Sequence, residues 1–161
     1  MGTMGDYRTI VVGTDGSPLA DPTVSRAARL AAHNDADLVI VCAYSELSPR
    51  QEARARATVA EPPPGRVPGR STASAALAEA VAIAREQGAT ISAALLVDGE
   101  PATALLATAD ERASDLIVVG ALRDTGIADR LLGDVATEVV RHAECEVLVV
   151  RPPRGEPPAP T

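Results

Sequence analysis

Residues 118 to 140 read VVGALRDTGIADRLLGDVATEVV, an apolar run followed by a glycine-punctuated loop and then a helical pattern. Residue types in this order can hold an anion. Glycine lets the backbone adopt positive φ and brings amides close to a phosphate, and the amino end of a helix supplies further N–H groups and a favourable dipole. Gly120 and Gly133 are placed for that work, and two charged residues bear on it. Asp134 puts a fixed negative charge at the start of the last helix, where it is expected to cap the helix that Val135 begins. Arg123 can pair bidentately with a phosphate or equally with Asp134. The expectation is that Arg123 and Asp134 meet across the loop and fill the phosphate site with an internal ion pair. A second candidate stretch is VVGTDGS near the start, with Gly13, Asp15, Gly16 and Ser17. There Asp15 either contacts a ligand or holds a turn, and the glycines serve tight strand-to-helix turns.

These residues need a scaffold. Four continuous apolar runs, TIVVGT at 9–14, DLVIVCAY at 37–44, DLIVVG at 115–120 and EVLVV at 146–150, suit strands covered on both faces, and TISAALLV at 90–97 is a weaker fifth. Helical patterns lie between them. The first starts near Ser17-Pro18 or Asp21-Pro22 and turns Val24, Ala27, Ala28 and Ala31 inward. The second starts near Ser74, uses Leu77, Ala80, Val81 and Ala84, and stops at Gly88. The third opens at Pro101 with Leu105, Leu106 and Ala109, and the fourth opens near Asp134 with Val135, Val139 and Val140. The alternation predicts an α/β fold, a single doubly wound (Rossmann-like) five-stranded parallel sheet with helices on both faces. In such a sheet ligands sit at the carboxyl ends of the strands, near the switch in strand order.

Composition narrows the function. The chain of 161 residues is one domain's worth, expected over 1–151, with a flexible Pro/Arg-rich insert at 47–70 and a disordered tail at 152–161. A net charge of -7 opposes nucleic acid or an anionic membrane as a partner. All fifteen residues counted as Lys+Arg are Arg, so no Walker A lysine and no Schiff-base lysine exists. His33 and His142 lack partners at metal-ligand spacing, and no metal is expected. Cys42 and Cys145 are far apart and border apolar runs, which predicts core thiols in a reduced, cytoplasmic setting. No apolar stretch is long enough to span a bilayer.

The phrases VVGTDGS, VDGEPATALLATADERASDLIVVG and VGALRDTGIADRLLGDVATEVVRHAECEVLVV together resemble the universal stress protein family, from about Thr9 to Arg151. The resemblance implies a site. Members that bind ATP are similar in carrying a GxxG(x9)G(S/T) loop after the fourth strand, a carboxylate after the first strand and a small apolar residue after the second, the latter two meeting the adenosine. On that pattern Gly120 and Gly133 match the outer glycines at the right spacing, Asp15 matches the acid, and Ala43 stands where a Val is usual. Arg123 replaces the middle glycine and Asp134 replaces the hydroxyl. The candidate nucleotide-binding residues are therefore Gly13, Asp15, Ala43, Gly120, Arg123, Gly133, Asp134 and Val135.

The expected function is a non-enzymatic stress protein whose adenine-nucleotide site is weak or lost for ATP. The alternative is a stress protein that binds ATP, AMP or cyclic AMP, with slow ATPase activity. A phosphoacceptor receiver domain shares the architecture but needs a lysine the chain lacks. The apolar final strand, Glu146 to Arg151, is a sheet edge with no charge inside it to block pairing, and with the resemblance it predicts a homodimer through that strand.

Overall fold

The computed structural model of the chain describes residues 6–46, 50, 67–121 and 132–151. Among the described residues the elements are β1 (Thr9–Gly13), α1 (Ala20–Asn34), β2 (Asp37–Ser45), β3 (Val67–Pro68), α2 (Arg70–Glu86), β4 (Thr90–Asp98), α3 (Pro101–Glu111), β5 (Leu116–Gly120), α4 (Asp134–His142) and β6 (Glu146–Val150). Every pairing among them is parallel. The long strands lie in the order β4, β2, β1, β5, β6, and the short β3 joins the carboxyl end of β2.

The continuous apolar runs are explained by the two layers they serve. Side chains alternate along each strand, so Ile10, Val12, Leu38, Ile40, Leu116 and Val118 face one cluster, with Ala27, Ala28 and Ala31 of α1 and Ala73, Leu77 and Ala80 of α2. Val11, Val39, Val41, Ile117 and Val119 face the other, with Ala104, Leu105 and Ala109 of α3 and Ala136 and Val139 of α4. The sheet is thus doubly wound. Alanine-rich helix faces let these helices approach the sheet closely without aromatic bulk. The amino ends of β1 and β5 are tied by Asp115, whose Oδ2 accepts from the N–H groups of Arg8 at 2.7 Å and Thr9 at 2.9 Å.

Several boundaries differ from the sequence reading. The sheet has a sixth strand, because buried Val67 packs into the core and Pro68 follows it on a short outer strand, where a missing N–H is tolerated. The insert read as irregular through residue 70 therefore ends in β3, and α2 opens at Arg70, four residues before the expected Ser74. Residues 47–49 and 51–66 of that insert, and the tail at 152–161, lie outside the described residues. Val140, read as inward, is 48% exposed; Ala136 takes the inward place with Val139, since one residue further along a helix rotates the side chain by about 100°.

Candidate functional site

Strand order reverses between β1 and β5, and the loops leaving their carboxyl ends diverge to helices on opposite faces. β1 leads to α1 on one face, while β5 leads to α4 on the other. This is the crevice where an open parallel sheet takes a ligand. The structure brings Gly13, Asp15, Ala43, Gly120, Gly133, Asp134 and Val135 to this end of the sheet, as the ends of β1, β2 and β5 and the start of α4. Arg123, and Arg130 with it, lie outside the described residues.

The glycines have packing reasons. A Cβ on Gly120 would stand 3.1 Å from Thr23 Oγ1 on α1, and one on Gly13 would stand 3.3 Å from the Leu105 side chain on α3. Gly16 is the strictest position. Its φ is +76°, and a Cβ there would lie 2.6 Å from the Ala76 Cβ on α2. These residues therefore seat the helices against the sheet as well as opening the crevice.

Asp15 holds a turn. Its Oδ1 accepts from the Ser17 N–H at 2.9 Å, and beside it the Gly16 N–H donates to Thr14 Oγ1 at 3.2 Å. The Thr14 N–H donates to the Val41 carbonyl at 2.9 Å, which anchors the first residue of this loop to β2. Nearby, burial and the Asp15 charge push the Cys42 thiol up to about 11. Cys42 and Cys145 are both free, and burial raises the Cys145 thiol as well. Neither has the thiolate character a nucleophile needs.

The last loop is closed at its neck. The Gly133 N–H donates to the Ala121 carbonyl at 2.8 Å, and the Ala121 N–H donates to the Val150 carbonyl at 2.9 Å. The first intrahelical bond of α4 runs from the Thr137 N–H to the Gly133 carbonyl at 2.9 Å. Gly133 is therefore the N-cap, at φ -65° and ψ 167°, and Asp134 is the first helical residue. This corrects the expectation that Asp134 caps a helix begun by Val135: the boundary falls one residue earlier, and no side-chain cap hydrogen bond forms at this end. The N–H groups of Asp134, Val135 and Ala136 thus lie in the first turn, where helical geometry gives amides no partner within the helix. The Asp134 carboxylate is exposed and carries its charge within that turn.

Sequence reasoning missed two contributors to this end of the molecule. One is β3, too short for any periodic signal. The other is Ala76 of α2, which faces Gly16 and has no motif. A depression of about 290 Å³ lies at the opposite, amino end of β5 and β6, lined by Leu106, Ala109, Ile117 and Cys145 among others. Its buried hydroxyl, that of Ser114, lies 2.9 Å from the Thr9 carbonyl and 3.0 Å from that of Leu116, so it serves the backbone. Among the described residues no three His, Cys, Asp or Glu side chains gather as a metal set.

Comparison with known proteins gives the same frame. The profile of the universal stress protein family matches residues 6–151. The chain is 40% identical over 147 residues to the universal stress protein Rv1636 of Mycobacterium tuberculosis (strain H37Rv), covering 91% of this chain and 98% of that one. Among solved structures it is similar to a universal stress protein in complex with cAMP, at 36% identity and a TM-score of 0.67, covering 91% of this chain and 98% of the other. It shares its fold with the universal stress protein of Archaeoglobus fulgidus in complex with dAMP, at 23% identity and a TM-score of 0.60, covering 89% and 98% of the two chains.

Proposed function

Because the chain belongs to the universal stress protein family, we propose that it is a non-enzymatic adenine-nucleotide-binding stress protein whose crevice takes a monophosphate, cyclic or open, in preference to ATP. The observation that carries this reading is Asp134 in the first turn of α4, the place where a phosphate would meet the helix amides. A carboxylate about 5 Å from a phosphate charge costs about 3 kcal/mol at an effective dielectric near 20 and about 1 kcal/mol in water. The exposure of Asp134 favours the lower figure for each charge, and a triphosphate brings more charges than a monophosphate. The uncapped amides of the same turn still favour a single phosphate. The 36%-identical structure with cAMP supports a cyclic monophosphate as an occupant.

Hydrolysis of ATP is not part of this reading. The chain has no lysine to meet a γ-phosphate, and the thiols near the sheet ends are held protonated. The free cysteines fit a reducing, cytoplasmic setting. The protein acts as a homodimer through Glu146 to Arg151. Support comes from β6, which ends the sheet order and carries half-buried Val147, Leu148, Val149 and Val150 on a strand with no internal charge.

Calorimetry with cAMP, AMP and ATP tests the nucleotide reading. Wild-type protein is expected to bind cAMP or AMP about tenfold more tightly than ATP, a difference of about 1.4 kcal/mol, and Asp134→Ser to narrow that ratio. Tighter binding of ATP by the wild type, or a ratio unmoved by the substitution, would overturn it.

A further inference from the structure

The depression of about 290 Å³ at the amino end of β5 and β6 has a chemistry of its own. Leu106, Ala109 and Ile117 give it an apolar lining, and among the described residues around it Asp110 and Glu144, both exposed, are the charged ones. Two helices end here. α3 stops at Glu111 and α4 at His142, with Ala113 and Ala143 of the lining just past those ends, so the carbonyl ends of two helix dipoles add to the negative field. Burial raises the Cys145 thiol, and the charges of Asp110, Asp115 and Glu146 raise it further. Neighbouring basic groups do not compensate, since Arg141 and His142 meet Glu138 at 3.8 Å and 3.3 Å. Two further carboxylates at this end are already engaged, Asp115 by the N–H groups of Arg8 and Thr9, and Glu146 by the Tyr7 hydroxyl. Asp110 and Glu144 therefore set what the depression attracts: a cation on an apolar stem.

The last strand points to the source of that cation. Two copies joined at the β6 edge about a twofold axis run antiparallel, each offering the same patch to the other. With the axis at Leu148, the middle of the five-residue strand, Arg151 of one copy stands opposite Cys145 of the other. Pro152 follows opposite Glu144, and neither Pro152 nor Pro153 has an N–H with which to prolong the pairing. The next charged side chain is that of Arg154, two residues or at most roughly 7 Å further along the chain. A copy's own tail starts at the opposite end of β6, roughly 15 Å away. Geometry thus favours the partner's tail over the chain's own.

We propose that the depression is a docking site for the segment Pro152 to Arg154 of a second copy, with the partner's Arg154 placed between the carboxylates of Asp110 and Glu144 and its stem against the apolar lining. A guanidinium suits two carboxylates because its planar fork presents donors to both. The inference rests on the homodimer reading and adds that the interface continues past the edge strands. The exchange is reciprocal, so each dimer holds two such contacts.

Disulfide trapping tests the site on the full chain. Gly155→Cys sets a thiol beside the anchor and keeps Arg154 and both prolines, while Cys145 lines the depression and Cys42, at 0% exposure, is out of reach. Under mild oxidation this variant is expected to run as a covalent dimer on non-reducing gels. Adding Cys145→Ser is expected to abolish the link, and Arg154→Gln to slow its formation about fivefold. Sedimentation equilibrium supplies the affinity. Arg154→Glu is expected to raise the dimer dissociation constant about tenfold, about threefold for each of the two exposed ion pairs, and Asp110→Arg in the same chain to restore much of the loss. A disulfide closed within one chain, a linkage rate unmoved by Arg154→Gln, or a dissociation constant unmoved by Arg154→Glu would overturn the docking site while the sedimenting dimer keeps the homodimer reading. Wild-type protein that sediments as a monomer would overturn both.

Discussion

At the residue scale, the candidate positions serve packing and the proposed site together. Gly16 is the clearest case, with a left-handed backbone and the Ala76 Cβ of α2 closing the space above it. Gly16→Ala is expected to destabilise the fold by roughly 2–4 kcal/mol, combining the conformational penalty with overpacking, as a lowered Tm in calorimetric scans. Asp15 was legible as a turn-former because its type and place in GTDGS announce it, and the Asp15 to Ser17 bond has that form. The cap at α4 was less legible, since Gly133 and Asp134 are both good N-cap residues and only the backbone course decides between them. The Arg123 to Asp134 pair falls outside the described residues at its arginine end. Cys42 carries a pH prediction. Its thiol moves from an ordinary value of 9.0 up to about 11, so below pH 9 both folded and unfolded states keep the proton and stability is unaffected by it. Between pH 9 and 11 the unfolded chain gives up the proton first, and stability falls as pH rises. Denaturation midpoints of wild type and Cys42→Ala are expected to converge over that window, and a parallel course would refute the assignment.

At the element scale, strands buried on both faces declared themselves as unbroken apolar runs, while β4, at the edge opposite β6, was weaker because Thr90, Ser92, Ala94 and Asp98 are exposed and the rest only half-buried. Helix starts were harder. α2 begins at Arg70 rather than Ser74, since its N-cap, Gly69, is placed by the pairing of β3 with β2 and not by a local capping side chain. β3 could not be read from two residues, because it exists through long-range pairing. Helix ends offer a stability test. Ala113 follows α3 at φ +50°, a conformation that disfavours a side chain, and it is exposed. Ala113→Gly is expected to raise stability by up to about 1 kcal/mol, the left-handed penalty exceeding the added chain entropy of glycine. A lowered denaturation midpoint would contradict that balance.

At the scale of the whole molecule, the order β4, β2, β1, β5, β6 does two things at once. It opens the crevice between β1 and β5, and it leaves β6 as an outer strand paired, among the described residues, with β5. The alternation of runs in the sequence implied a parallel sheet with its ligand end at the carboxyl ends of the strands and the final strand at an edge, while the strand order that puts the crevice between β1 and β5 is fixed by packing of helices on the two faces. The proposed homodimer is tested by Leu148→Lys, which sets a charge in the middle of that edge. Light scattering is expected to report monomers for the variant, and an unchanged dimer would place the interface on another surface. Nucleotide binding at the carboxyl end of the sheet is read out by following backbone amide resonances during titration with cAMP. Shifts are expected at Gly13, Ala43, Gly133 and Val135, saturating with the calorimetric affinity. Unmoved signals at those four residues, with shifts gathered instead around Leu106, Ile117 and Cys145 at the opposite end, would contradict it.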